Sequence, residues 1–155
     1  MVLISRTMKT YPKIYIYNRI VQAKLFIDNN FGDSIDLNNI ADEAYFSKYH
    51  FIRLFKAIYG KTPHQYLIWV RVEKAKLLLQ KDYSISDVCV GVGFESPGSF
   101  ATLFKQYTKI SPSVYQQNFK TRQALIKEAP LRFIPHCFAE QKGWIKNSNF
   151  QELPS

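Results

Sequence analysis

One pattern in this chain occurs twice. Phe51-x-x-Leu54-Phe55-Lys56, followed by Thr62-Pro63-x-x-Tyr66, returns as Phe100-x-x-Leu103-Phe104-Lys105, followed by Ser111-Pro112-x-x-Tyr115. The offset is 49 residues at every matched position, and Ser47 and Ser96 stand four residues upstream of the two copies. A short apolar run precedes each: Ile40-Ala41-x-x-Ala44 and Val88-Cys89-x-x-Val92, offset by 48. A two-copy unit of short helices with a tight turn inside it suits a protein that presents two similar helices to a repeating partner. Double-stranded DNA is the commonest such partner.

The 155 residues suffice for one or two small domains with a real core. Hydrophobic content of 46% and charged content of 21% fit a globular chain. No apolar run approaches the roughly 20 residues needed to span a bilayer. Arg6 and Lys9 interrupt the N-terminal stretch, which makes it a poor signal peptide, so the expected location is cytoplasmic. Cys89 and Cys137 form no CxxC pair, so no structural metal is expected. Cys89 falls on the apolar face of a short predicted helix and reads as a small buried thiol. His50, His64 and His136 share no spacing with carboxylates, and no Gly-rich phosphate loop exists. Neither a catalytic group nor a cofactor is expected.

The net charge is +9, and its distribution says more than its total. Residues 44–81 carry eight Lys/Arg against Glu73 alone, a net of +7. Residues 82–117 carry Lys105 and Lys109 against Asp82, Asp87 and Glu95, a net of −1. The excess is concentrated on the first repeat. A basic patch attracts any polyanion, so charge alone does not separate DNA from RNA or from a membrane surface.

The predicted fold class is all-α, about seven helices. Residues 1–17 read as an irregular extension around Pro12. Residues 18–30 suit an amphipathic helix with Ile20, Val21, Leu25 and Phe26 as its apolar set. Asp36 is expected to cap a helix from Leu37 to Ala44, Tyr45-Phe46 to turn the chain, and Ser47 to cap a helix ending near Tyr59 at Gly60. Thr62-Pro63 should open a long helix to about Gln80, with Tyr66, Leu67, Val70, Ala75, Leu77 and Leu78 as its apolar residues. A helix over Ser86–Val92, a turn at Gly93-Phe94-Glu95 and a helix from Ser96 to about Tyr107 complete the second unit. Ser111-Pro112 opens a last helix through Tyr115 and Phe119. Periodicity fades after about Ala124, and no role is assigned to the tail at 118–155.

On a helical wheel, Phe51, Leu54, Phe55 and Ile58 face the core. Tyr49, Arg53 and Lys56 lie opposite, with Ile52 and His50 on the flanks. Arg can grip guanine O6 and N7, and Tyr49 or Ile52 can meet a thymine methyl or a sugar. A solvated amphipathic helix, kept soluble by the same charges, is the competing reading. In the second copy Phe100, Leu103, Phe104 and Tyr107 form the inward face. Gly98, Ala101 and Thr102 replace Tyr49, Ile52 and Arg53, and only Lys105 keeps a charge. The second helix either makes shallow contacts, with Lys105 on phosphate, or serves mainly to pack and position. Weak, less specific engagement is the reading taken.

These residues resemble the DNA-binding region of the AraC/XylS family of bacterial transcription regulators. The likeness rests on Leu37-x-x-Ile40-Ala41, Ser47-x3-Phe51-x3-Phe55-Lys56, Gly60-Lys61-Thr62-Pro63-x-x-Tyr66 and Arg71-Val72-x-x-Ala75-x-x-Leu78-Leu79. It continues with Ile85-x-x-Val88-Cys89-x3-Gly93-Phe94-x-Ser96, Phe100-x3-Phe104-Lys105 and Ser111-Pro112-x-x-Tyr115. The resemblance implies two helix-turn-helix units over residues 18–117: unit one about 18–62, a linker helix 63–80, and unit two about 81–117. It also implies two recognition helices in successive major grooves of one duplex, with DNA bending plausible. The DNA-facing set is then Ser47, Lys48, Tyr49, Ile52, Arg53 and Lys56 in unit one, and Ser96, Gly98, Ala101, Thr102 and Lys105 in unit two. Tyr45 stands where a small residue is usual in that turn, and Cys89 where Ala is usual.

Many relatives carry a separate ligand-sensing or dimerisation domain, for which 155 residues leave no room. The expectation is a stand-alone member controlled by its abundance, or a fragment of a longer regulator, with no effector domain. DNA-repair alkyltransferases fused to such domains hold their nucleophile in a Pro-Cys-His-Arg run. Here Pro135-His136-Cys137-Phe138 reverses that order and lacks the Arg, so no enzyme is expected. A surface of unit two that reads little DNA would be free to contact RNA polymerase or another regulator, the alternative being an adaptor with weak DNA binding.

Overall fold

The structure, a computed structural model, describes residues 11–35 and 48–143. The expectations for Asp36, the helix at 37–44, the turn at Tyr45-Phe46 and the Ser47 cap lie outside those residues. Seven α-helices and one 3₁₀ turn occur among the described residues: α1 (Tyr11–Asn30), α2 (Lys48–Tyr59), α3 (Pro63–Gln80), α4 (Ile85–Gly91), α5 (Pro97–Thr108), α6 (Pro112–Glu128), the turn Pro130–Phe133, and α7 (His136–Gln141). The chain divides into two compact units, Met1–Tyr115 and Gln116–Ser155.

The helix boundaries follow from local chemistry. Thr62 accepts a hydrogen bond from the Gln65 amide while Gln65 Oε1 accepts one from the Thr62 amide, a reciprocal cap that starts α3 with Pro63 behind it. Ser84 caps α4 through the Asp87 amide, and Ser96 caps α5 through the Ser99 amide. Gly60 ends α2 at φ +71°, and Gly93 turns the chain between α4 and α5 at φ +81°. Both conformations suit a residue without a β-carbon.

The larger unit holds two apolar cores that meet on α3. Ile20, Ala23, Ile27, Phe51, Phe55, Tyr66, Leu67 and Val70 form the first. Val72, Ala75, Leu79, Val88, Cys89, Val92, Phe94, Phe100 and Phe104 form the second. At about 100° per residue, Tyr66, Leu67 and Val70 lie on one side of α3 and Val72, Ala75 and Leu79 on nearly the opposite side. Both cores of the larger unit therefore close on the same helix. Its 18 residues make a rod of about 27 Å.

The sequence repeat is a repeat of packing. Phe51 and Phe55 meet with tilted rings at 5.9 Å between centroids, and Phe55 meets Tyr66 at 5.7 Å. Phe100 and Phe104 meet edge to face at 5.6 Å, and Phe104 meets Tyr115 at 5.5 Å. In each copy the Pro-x-x-Tyr motif delivers its ring onto the second Phe of the preceding helix. Tyr66 also donates to Asp28 Oδ1 at 2.9 Å, and Lys24 pairs with the other Asp28 oxygen at 2.5 Å, which ties α1 to α3. Burial, and then the bond to Asp28, push the Tyr66 phenol above its ordinary range.

Several sequence expectations need correction. Residues 11–17 are helical, because Pro12 falls in the first turn, where its missing N–H has no partner to lose. On α1 the buried stripe is Ile20, Ala23 and Ile27, whereas Val21, Leu25 and Phe26 are exposed. That helix is apolar on more than one side, so its apolar residues alone do not choose a face. Ile58, in the last turn of α2, is exposed rather than core-facing. Leu77 lies in line with Tyr66 and Val70 but beyond the end of the first core, and is half exposed. The helix opened by Pro112 runs on to Glu128 and is followed by Pro130–Phe133 and α7. In the smaller unit, Ala139 alone among the described residues is fully buried.

Phe55→Ala and Phe104→Ala should each destabilise the larger unit by about 3–5 kcal/mol in denaturant titrations, since both rings are fully buried. Thr62→Ala should cost about 1 kcal/mol by loss of the cap at the start of α3.

Candidate nucleic-acid interface

Burying Phe51 and Phe55 turns the opposite side of α2 outward. Lys48, Tyr49, Arg53 and Lys56 are exposed there, Tyr49 at 71%. No acidic residue occurs in the helix. The Arg53 guanidinium carbon lies 5.5 Å from the centre of the Tyr49 ring, so arginine and tyrosine form one cationic, flat-faced surface. Such a surface offers a bidentate donor and an apolar plate side by side. Ile52 sits at the edge of this face, half-buried, and packs against the first core. Its expected outward reach is reduced accordingly: its wheel position is intermediate between the two faces.

The equivalent side of α5 has another character. Gly98, Thr102 and Lys105 are exposed, Ser96 and Ala101 half-buried. Ser96 is occupied as the helix cap, bonding the Ser99 amide and hydroxyl. A β-carbon placed on Gly98 would meet nothing within 4 Å, so the position is open surface rather than a close approach. Gln106, beside Lys105, is also exposed and adds a polar side chain to this helix. Ser47 lies outside the described residues.

Sequence reasoning missed the junction between the two units. Past the end of α1, the Arg71 fork of α3 closes on two backbone carbonyls: Nε donates to Phe31 O at 2.7 Å and Nη2 to Asp33 O at 2.9 Å. These carbonyls continue the electronegative end of a helix, where a cation is favoured. The same guanidinium lies 5.6 Å from the Phe94 ring centre. Burial pushes it below its ordinary value, which the Glu95 carboxylate opposes, and arginine stays charged at neutral pH. From the second unit, Gly93 presses on the same segment: a β-carbon there would lie 2.6 Å from Gly32 O and 2.9 Å from Phe31 O. The Phe31 ring packs against both cores. The signals present in the sequence were Gly32, Gly93 and an arginine within an otherwise apolar stretch of α3.

Cys89 is buried, with its thiol 3.6 Å from Phe94 O, and burial pushes that thiol up. It is a packing group held in its unreactive form. Cys137 is exposed in α7, beside His136, whose Nδ1 lies 3.5 Å from Glu140 Oε1. No helix among the described residues is long and apolar enough to cross a membrane.

Comparison with known proteins agrees with this geometry. The sequence model of a family described as a helix-turn-helix domain matches residues 40–118. The bifunctional transcriptional activator/DNA repair enzyme AdaA of Bacillus subtilis is 37% identical over 99 residues, covering 63% of this chain and 47% of that protein. The HTH-type transcriptional activator AarP of Providencia stuartii is 33% identical over 98 residues, covering 63% of this chain and 73% of that protein. Among solved structures, the DNA-binding domain of the global transcriptional factor AdpA, in complex with a target DNA, superimposes with a TM-score of 0.64 at 29% identity. It covers 68% of this chain and 96% of that one. The chain spans about half to two thirds, 44–66%, of the length of several curated relatives it matches. A duplicated aromatic core closed on one shared helix, matched over this length, means that the chain belongs to the AraC family of helix-turn-helix transcription regulators.

Proposed function

We propose that the chain is a sequence-specific, double-stranded DNA-binding transcription regulator that lays α2 and α5 in adjacent major grooves, with α2 supplying most of the discrimination. The observation that carries this reading is the contrast across the repeat. The same trio of aromatic rings recurs, while Tyr49, Arg53 and Lys56 of α2 have Gly98, Thr102 and Lys105 as their counterparts on α5. Grooves on one face of a duplex recur about every 34 Å, and the one helix that both cores share holds α2 and α5 in a fixed register. Bending of the DNA brings successive grooves to the two helices.

Within this reading Arg53 grips a guanine edge, Tyr49 meets a thymine methyl or sugar, and Ile52 contributes at the margin. Lys48, Lys56 and Lys105 neutralise phosphates. Ser96, at the start of α5, is assigned to the phosphate backbone, and Ser47 is assigned the same contact from the sequence repeat alone. Gly98, Ala101 and Thr102 allow close but shallow contact. The relatives named as transcriptional activators and the target DNA bound to the AdpA domain support the assignment of DNA as partner. RNA polymerase is a second proposed partner, through the part of the second unit that carries few long polar side chains toward DNA. No catalytic step is assigned to Cys137, and the chain is taken to act in the cytoplasm.

Selection of bound fragments from random duplexes should yield one informative half-site beside a degenerate one; two equally informative half-sites would reverse the ranking of the units. On the selected site, Arg53→Ala should cost about 1–3 kcal/mol and relax preference at one base pair. Lys56→Ala should weaken all sequences alike and lower the slope of log affinity against log salt by about one. Thr102→Ala should do less than Arg53→Ala in the same titrations. Gly98→Arg, for which there is room, should raise affinity and steepen the salt slope by about one.

A further inference from the structure

We propose that the segment Phe31–Asp33, clasped by Arg71 and abutted by Gly93, is a brace that fixes the angle between α2 and α5 and so sets the half-site spacing the protein accepts. Arg71 is thereby a positioning residue. It touches no DNA in this scheme and acts through the backbone it holds. The inference rests on the two-groove reading above.

A shared helix alone fixes distance well and angle poorly. Each unit contacts α3 along a strip of side chains, and a three-helix unit can roll about such a strip with small rotamer adjustments. A contact away from the rod axis is needed to stop that roll. The Phe31–Asp33 segment is that contact. It leaves α1, which packs on α2 and α3 in the first unit, and it meets Arg71 of the shared α3 and Gly93 of the second unit. Two donors from one rigid, planar guanidinium, at 2.7 and 2.9 Å, orient the segment as well as hold it. On its other side, the 2.6 Å approach to a would-be Gly93 β-carbon leaves no slack. By residue phase, Arg71 lies between the two apolar faces of α3, where a group bridging both units has to be. Lys74, one turn on, lies 5.5 Å from the centre of the Phe31 ring and closes the same side. Position 93 needs glycine twice over, for its φ of +81° and for this approach, whereas Gly60, the stop after α2, has φ +71° and nothing within 4 Å of a would-be β-carbon. The extra crowding at Gly93 is therefore specific to the junction.

The angle is tested without DNA first. Spin labels at Arg53→Cys and Thr102→Cys, in a full chain carrying Cys89→Ala and Cys137→Ser, should give one narrow distance distribution. Adding Arg71→Gln should broaden it, and Arg71→Lys, which keeps charge and stem but loses the fork, should broaden it in part. Gly93→Ala should shift or broaden it with Arg71 intact, so the test survives if one variant does not fold. An unchanged distribution in the folded variants overturns the brace. The second arm uses the selected duplex with its half-sites moved by one base pair either way. The parent should lose about tenfold affinity per step and Arg71→Gln less than about threefold. Equal loss of affinity at every spacing would mean that Arg71 serves stability or charge alone, and overturns the proposal. A parent indifferent to spacing overturns the two-groove reading and the brace's role on DNA with it, a failure distinguishable from unchanged label distances.

Discussion

The two sides of α3 are both apolar, and neither can be left in water. Tyr66, Leu67 and Val70 close one core and Val72, Ala75 and Leu79 close the other, on nearly opposite faces of the same 18-residue helix. A surface helix of a single domain would expose one of these faces. Here each face is the missing wall of a separate short-helix unit. Units of this size bury too little surface to persist alone, so both depend on the helix they share. Their separation then follows from where on α3 each core begins and ends. Leu77 marks the limit: it continues the first face in phase, but the first core has ended, and the side chain is half exposed.

Duplication preserved what is inside and left the outside free. A fully buried Phe at 51, 55, 100 or 104 is constrained by close packing on every side, where loss of a ring costs several kcal/mol, of order 3–5. No such constraint acts on Gly98, which has open space around it, or on Thr102, which is exposed. Equal cores therefore do not imply equal surfaces. The first helix carries the cationic plate of Arg53 on Tyr49 and the second carries short side chains, so the same scaffold presents two different amounts of chemistry.

Much of this was legible from the residue pattern, and the reasons differ by element. Caps and stops read well because they are local: Thr62-Pro63, Ser96-Pro97, Gly60 and Gly93 each act through bonds or torsions within a few residues. The bounds of α3, Pro63–Gln80, followed from that local grammar. The buried face of α2 and α5 read well because each has one apolar side, although Ile58 was carried along by periodicity into a turn where there is no core left. On α1 apolar residues occupy more than one side, so periodicity points Val21, Leu25 and Phe26 inward while Ala23 and Ile27 are the buried ones. The start of α1 was hidden by Pro12, which a first turn tolerates. Within the set proposed to face DNA, exposure of Tyr49, Arg53 and Lys56 follows from phase, while Ile52 sits on a boundary that phase does not resolve. The Arg71–Phe31 and Gly93–Gly32 contacts span 40 and 61 residues, and no local pattern announces a contact of that range.

On the proposed two-groove reading, the asymmetry of the two helices gives geometry a larger part to play than it has in a symmetric reader. Where two linked contacts are both strong, each forms whether or not the other is well aimed. A weak second contact adds affinity chiefly through the effective concentration at which the first contact holds it over its groove. That concentration falls as the angular freedom of the second unit grows, because most orientations then point its recognition helix away from the base edges. Holding the unit rigid before binding removes this entropic cost from the binding step. Short side chains such as Ala101 and Thr102 sharpen the requirement, since they cannot reach across a misaligned gap as a lysine or an arginine could. A second unit with so little reach therefore gains its share of recognition from the stiffness of the parts behind it, namely α3, the Phe31 ring between the cores, and the arginine fork that closes on the chain beside it.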